Sequence, residues 1–196
     1  MPKNYAVVLA AGGSSRLGQP KAMVPLGNEK VPLIAHLVER LEAHDIESVI
    51  VTRQELMVDV MVALTSRRIV LNPDPDAGRT RTLQMGISAI LDGIKGKEAR
   101  ILVCPVDRPG FSNSTLTQLL EQSVSSCPSS EGRGGHPLLL VGSDVERVMK
   151  GDADQPLRDL LSPQRIDVED EFLHLNLDTE DDLPKLATWF EETYGI

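Results

Sequence analysis

The chain has 196 residues, a formal net charge of −9 and two cysteines. That length suits one domain spanning residues 1–196 with a sizeable core, built from Val, Leu, Ile, Ala and Met because aromatic residues make up only 3%. The acidic balance argues against nucleic acid or an anionic membrane as partner, since both rely on basic contacts, and two cysteines cannot supply a disulfide framework.

Near the start, Val7, Val8, Leu9, Ala10 and Ala11 form an apolar run that ends abruptly in Gly12, Gly13 and Ser14. This predicts a buried strand handing over to a loop. With a strand starting so early and no run of 18 apolar residues, no signal peptide or membrane span is expected, and the location expected is cytoplasmic. Apolar residues at helical spacing predict a helix over 32–44, with Pro32 at its start. The β-branched run 48–52 predicts a strand, 56–64 a helix and 68–71 a third strand. Residues 72–78 are dense in turn formers and predict a loop, followed by a helix over 82–94.

A further buried strand is predicted at 99–103, with Cys104 closing it as a buried free thiol; Cys127 carries no assignment. Ser112 or Asn113 is placed to cap a helix running to about Gln122. The Ser- and Gly-rich segment 125–135 reads as the most mobile loop. A strand at 137–141, a short helix at 143–149 and a helical turn within 155–161 follow. Residues 172–177 alternate apolar and polar and predict a strand, and 180–194 predict a closing helix, capped by Asp178 or Thr179. Strands alternating with helices imply β-α-β units: an α/β fold with a mainly parallel sheet and helices on both faces. Ligands of such sheets bind at the carboxyl ends of the strands, which here carry Gly12 to Gly18, Asn72 to Gly78, Asp107 and later Asp178.

The glycine loop has the character of a phosphate site. Gly12, Gly13 and Gly18 let a ligand approach the backbone, successive amides can form an anion-binding concavity, and Arg16 and Lys21 add positive charge. It is not a Walker A loop, because Lys21 stands three residues past Gly18 and is followed by Ala22. The dinucleotide fingerprint G-x-G-x-x-G is also absent. Asp107 follows a buried strand and lies between Pro105 and Pro109, which stiffen its backbone. A carboxylate held there suits Mg²⁺, which takes one or two carboxylates together with phosphate oxygens and water.

The run from Leu9 to Lys21 resembles the signature L-A-[AG]-G-x-S-x-R-[ML]-G-x-x-K of the molybdenum-cofactor nucleotidyltransferases. Asn72-Pro73, Gly78, Thr82-Leu83, Gly86, Val106-Asp107-Arg108-Pro109, Gly135-His136-Pro137 and the segment 176–183 resemble later motifs of that family in the same order. The resemblance implies a Rossmann-like nucleotide-diphospho-sugar transferase domain. It implies transfer of a nucleoside monophosphate from CTP or GTP to the terminal phosphate of molybdopterin or a related phosphorylated acceptor, with release of pyrophosphate. Residue by residue, it implies that Leu9, Ala10, Ala11, Gly12, Gly13, Ser14, Gly18, Gly78 and Thr82 bind the nucleotide and that Arg16, Lys21 and Asp107 are catalytic. By the same route Asp107 and Asp178 hold Mg²⁺, and His136 and Arg108 face the acceptor. Arg108 stands where the family has Gln, residues 152–158 lack an expected Gly, and Glu180 replaces a Pro. Guanylyl transfer, nucleotidyl transfer to a sugar or alcohol phosphate, or a non-catalytic nucleotide- or cofactor-binding carrier are the alternatives. Ala11 favours CTP, because guanylyl relatives have Gly there and a β-carbon narrows the space beside the base.

Overall fold

A computed structural model describes residues 3–94 and 99–195. Its first strand, β1 (Asn4–Ala10), sends Ala6, Val8 and Ala10 into one core cluster and Tyr5 and Val7 into another. Successive side chains of a strand point to opposite faces, so a strand buried on both sides must be apolar almost throughout. A two-stranded ribbon, β2 (Pro25–Leu26) and β3 (Val31–Pro32), leads into α1 (Leu33–Glu42). β4 (Glu47–Arg53), α2 (Met57–Ala63), β5 (Arg68–Asn72) and α3 (Arg79–Ile94) follow. Next come β6 (Arg100–Pro105) and α4 (Asn113–Leu120), whose N-cap Ser112 accepts from Thr115 N. The chain continues through β7 (Ser126–Ser130), β8 (Arg133–Gly134), β9 (Leu138–Val141), α5 (Ser143–Lys150) and α6 (Leu157–Leu160). β10 (Gln164–Asp167) and α7 (Leu183–Tyr194) complete it.

The main sheet has the order β10-β7-β9-β6-β1-β4-β5, with β8 paired to β7. β6, β1, β4 and β5 are parallel, as are β7 and β10, while β9 runs antiparallel between β6 and β7. Helices α1, α2, α4 and α7 cover one face, and α3 and α5 the other. The result is the expected α/β domain. Gly86 lets α3 lie against the sheet, since a methyl there would collide with Val7 Cγ1. On the opposite face His36 of α1 packs edge-on to Trp189, Phe190 and Tyr194 of α7. Burial pushes its pKa down to about 4, so at neutral pH the imidazole behaves as an uncharged ring. Cys104 is a buried free thiol, as expected, and burial raises its pKa to about 12. Among the described residues no helix is long and apolar enough to cross a membrane.

Two expectations are corrected. The segment 125–135 is not a loop: it supplies β7, an interior strand, and β8. Its small residues suit a crowded site, where Cys127 Sγ lies 3.3 Å from where a Gly134 Cβ would sit. Residues 172–177 form no strand. Leu173, Leu175 and Leu177 are buried, but the backbone closes local turns through Leu173 N to Asp170 O and Leu175 N to Phe172 O. Alternation there reflects burial without a neighbouring strand to pair with.

Candidate active site

The loop after β1 is tied down at several points. Ser14 adopts a left-handed φ of 51° and its carbonyl accepts from Leu17 N at 3.1 Å. Leu17 is 1% exposed and anchors the loop in the core. Gly18, with φ of 71°, turns the chain in a conformation that glycine adopts without strain. A 3₁₀ turn begins at Lys21, whose amide donates to Ser14 Oγ at 3.1 Å and closes the loop on itself. Ala10 and Ala11 are buried at its root, whereas Gly12 faces open space. Leu9, just before, is half-buried.

Four charged side chains from distant parts of the sequence converge beside this loop. Lys21 Nζ lies 3.3 Å from Asp107 Oδ2 and 3.1 Å from Asp178 Oδ1, and Arg16 Nη2 lies 2.6 Å from Asp178 Oδ2. Backbone bonds explain the convergence. Val106 N donates to Leu9 O and extends the β1–β6 pairing to the edge of the loop, while Leu177 N donates to Asp107 O at 2.9 Å and sets Asp178 beside Asp107. Thr179, rather than Asp178, caps the final helical segment, in a capping box with Asp182. The Asp178 carboxylate is thereby left for the cluster. The Lys21 hydrogen bond, aided by Arg16, holds its carboxyl below the usual aspartate range.

His136 lies near Asp107 and Arg108. Burial, with Arg108 adding to it, pushes its pKa down to about 4, and its Nδ1 is buried without a hydrogen-bond partner. A neutral imidazole with an unused nitrogen can meet a polar ligand group without adding charge. Asn72 ties the turn after β5 to the start of α3: its Nδ2 donates to Thr82 Oγ1 at 3.0 Å, and its Oδ1 accepts from Asp74 N at 3.0 Å. Thr82 is 6% exposed, so it holds the turn through its neighbours. Gly78, with φ of 117°, abuts residues 153–154; a Cβ there would come within 2.6 Å of Ala153 O.

Two arginines belong to this region without any sequence motif to mark them. Arg40 is 6% exposed on α1; Nη1 donates to Pro109 O at 3.0 Å and Nη2 to Phe111 O. Its guanidinium lies over the Phe111 ring, 4.4 Å from the centroid, and fixes the loop that follows Asp107. The signal available was an arginine three residues after Leu37, on the apolar face of α1. Arg53 closes β4, and its Nη1 is 3.6 Å from where a Gly13 Cβ would sit.

Among the described residues no group of three or more His, Cys, Asp and Glu side chains is arranged to hold a metal. The donor set that fits a hard divalent cation is the carboxylate pair of Asp107 and Asp178, which already share one cationic group, the Lys21 ammonium. Mg²⁺ accepts such a set when substrate phosphate and water complete it.

The chain is similar to known proteins along most of its length. Residues 6–169 match the family model described as the MobA-like NTP transferase domain. The chain is 29% identical over 208 residues to a molybdenum cofactor guanylyltransferase of Rhizobium leguminosarum bv. trifolii, covering 94% of this chain and 92% of that one. It is 30% identical over 124 residues to the bifunctional protein GlmU of Clavibacter sepedonicus, covering 61% of this chain but only 24% of that longer protein. Similar solved folds include a Mycobacterium tuberculosis Rv0371c homologue from Mycobacterium sp. strain JC1, with a TM-score of 0.79, 22% identity and coverage of 96% and 97%. Rv0371c of M. tuberculosis H37Rv in complex with manganese gives 0.71, 18% identity and coverage of 95% and 98%. A 4-diphosphocytidyl-2C-methyl-D-erythritol synthase gives 0.72, 21% identity and coverage of 96% and 98%. The family match over most of the chain and the charged cluster at the carboxyl ends of β1 and β6 lead to one assignment: this chain belongs to the MobA-like NTP transferase family and is a nucleotidyltransferase.

Proposed function

We propose that the chain transfers CMP from CTP to the terminal phosphate of molybdopterin or a related phosphorylated acceptor. The observation that carries this reading is the convergence of Lys21, Arg16, Asp107 and Asp178 on the rim of the glycine loop. In it, Leu9 to Gly13, Ser14 and Gly18 receive the nucleotide, while Gly78 and Thr82 shape the wall around base and ribose. Lys21 and Arg16 balance the triphosphate charge. Asp107 and Asp178 hold Mg²⁺, which would supply charge stabilisation at the phosphates; the manganese complex of the similar fold supports a divalent metal. His136 and Arg108 face the acceptor.

An oxygen of the acceptor phosphate attacks the α-phosphorus, the new P–O bond forms, and the α–β anhydride bond breaks to release pyrophosphate. An acceptor phosphate with a second pKa near 6 is mostly a dianion at neutral pH, so the site needs no general base. The barrier is repulsion between anions and charge building on the leaving group. Positioning and fixed positive charge address both.

Ala11 carries the nucleotide preference. It is 4% exposed at the root of the loop, and its methyl group narrows the space available to a base. A steric difference of this size is worth about 1–3 kcal/mol, or roughly 10–200-fold. Measured as kcat/KM, CTP is expected to outperform GTP in the wild type, and Ala11→Gly to shift the ratio towards GTP. The guanylyltransferase relative names the competing reading. Equal or better use of GTP by the wild type would establish that reading in place of the cytidylyl one.

A further inference from the structure

We propose that Arg53 binds the nucleotide's phosphates from the side of the glycine loop opposite Lys21, an inference that rests on the transferase reading above. The sheet order fixes the geometry. β1 lies between β6 and β4, so the loop leaving β1 is flanked by Asp107 and Lys21 on one side and by the end of β4 on the other. Arg53 is the last residue of β4 and pairs in register with Asn72 of β5. The loop curls back over it, so that Nη1 is 3.6 Å from the position of a Gly13 Cβ. With no side chain on Gly12 or Gly13, an anion received by the loop's amides can approach that guanidinium directly.

The hydrogen-bonding state of Arg53 sets it apart from the other two cations. Lys21 is engaged by two carboxylates and Arg16 by one at 2.6 Å. The Arg53 side chain is only 20% exposed, and its buried Nε makes no hydrogen bond: among the described residues its acidic partner is Glu55, whose Oε2 lies 3.5 Å from that same Nε. Glu55 is 72% exposed and belongs to the next turn of chain, a poor counter-charge for a half-buried guanidinium. A buried donor left without a hydrogen bond gains from a ligand oxygen that supplies one. A phosphate matches the planar fork of donors and offers several acceptor oxygens. Arg53 follows Thr52, whose hydroxyl is turned to Ala10 O, so the strand's alternation gives the two residues separate tasks.

Titration calorimetry with CTP, GTP and inorganic tripolyphosphate tests the proposal. Arg53→Gln is expected to raise the Kd of all three together, by about tenfold or more, as loss of a charge-assisted fork would, with the melting temperature retained. Arg53→Lys is expected to recover part of the loss. Glu55→Gln, on an exposed side chain that does not threaten the fold, is expected to tighten tripolyphosphate binding in the wild-type background and not in Arg53→Gln. The proposal is overturned by unchanged tripolyphosphate affinity in either single variant. It is equally overturned by a loss confined to CTP and GTP, which would place Arg53 at the nucleoside. A wild-type protein that bound neither CTP nor GTP would instead overturn the transferase reading itself.

Discussion

Lys21→Ala is expected to cost about 2–4 kcal/mol of transition-state stabilisation, a loss of roughly 30–1,000-fold in kcat/KM. Two features of its setting make it the most sensitive cation. Its side chain is 14% exposed, so water compensates poorly for its removal, and its ammonium is the link between Asp107 and Asp178. Without it Asp107 loses its ion-pair partner, and Asp178 keeps only Arg16. Arg16 is 70% exposed and reaches Asp178 alone, so Arg16→Ala is expected to weaken the reaction less. Steady-state kinetics of the two variants, with circular dichroism to confirm folding, checks the ranking. Near-wild-type turnover by a folded Lys21→Ala would place the phosphate site elsewhere.

Asp107→Asn keeps the shape of the side chain and removes its charge. The expected product is a folded enzyme with little activity and a flattened dependence on Mg²⁺ concentration. The backbone at this position is secured independently of the carboxylate: Asp107 O accepts from Leu177 N, and Arg40 holds the carbonyls of Pro109 and Phe111. The loss should therefore appear in rate and metal response, with the melting temperature little changed. A collapse of stability with metal dependence intact would make Asp107 a structural aspartate.

The sequence was most informative where a residue type has one physical use. The glycine loop, the stiffened Asp107 between prolines and the alternation of apolar strands with amphipathic helices each carry a local signature, and each is present. Arg40 and Arg53 were not legible because their roles depend on what the fold brings to them, Phe111 in one case and Gly13 in the other. The two misread segments share a cause. In 125–135 small polar residues looked like a loop, yet β7 pairs with strands on both sides. In 172–177 the alternation looked like a strand, yet those leucines fill the space beside Gly110 and Gly135, and the backbone bonds go to Asp107 and to local turns. Pairing depends on neighbours that are remote in sequence, and composition does not report them.

Nucleotidyl transfer is expected at the glycine loop, where Lys21 pairs with Asp107 and Asp178. Its most direct test is incubation of the protein with Mg²⁺, α-phosphorus-labelled CTP or GTP and molybdopterin, following both pyrophosphate and the label. Pyrophosphate is expected in a one-to-one ratio with label appearing on the acceptor, and only when the acceptor is present. Tight nucleotide binding with neither pyrophosphate nor labelled product, across all four nucleoside triphosphates and a panel of phosphorylated acceptors, would contradict it and leave a nucleotide carrier in its place.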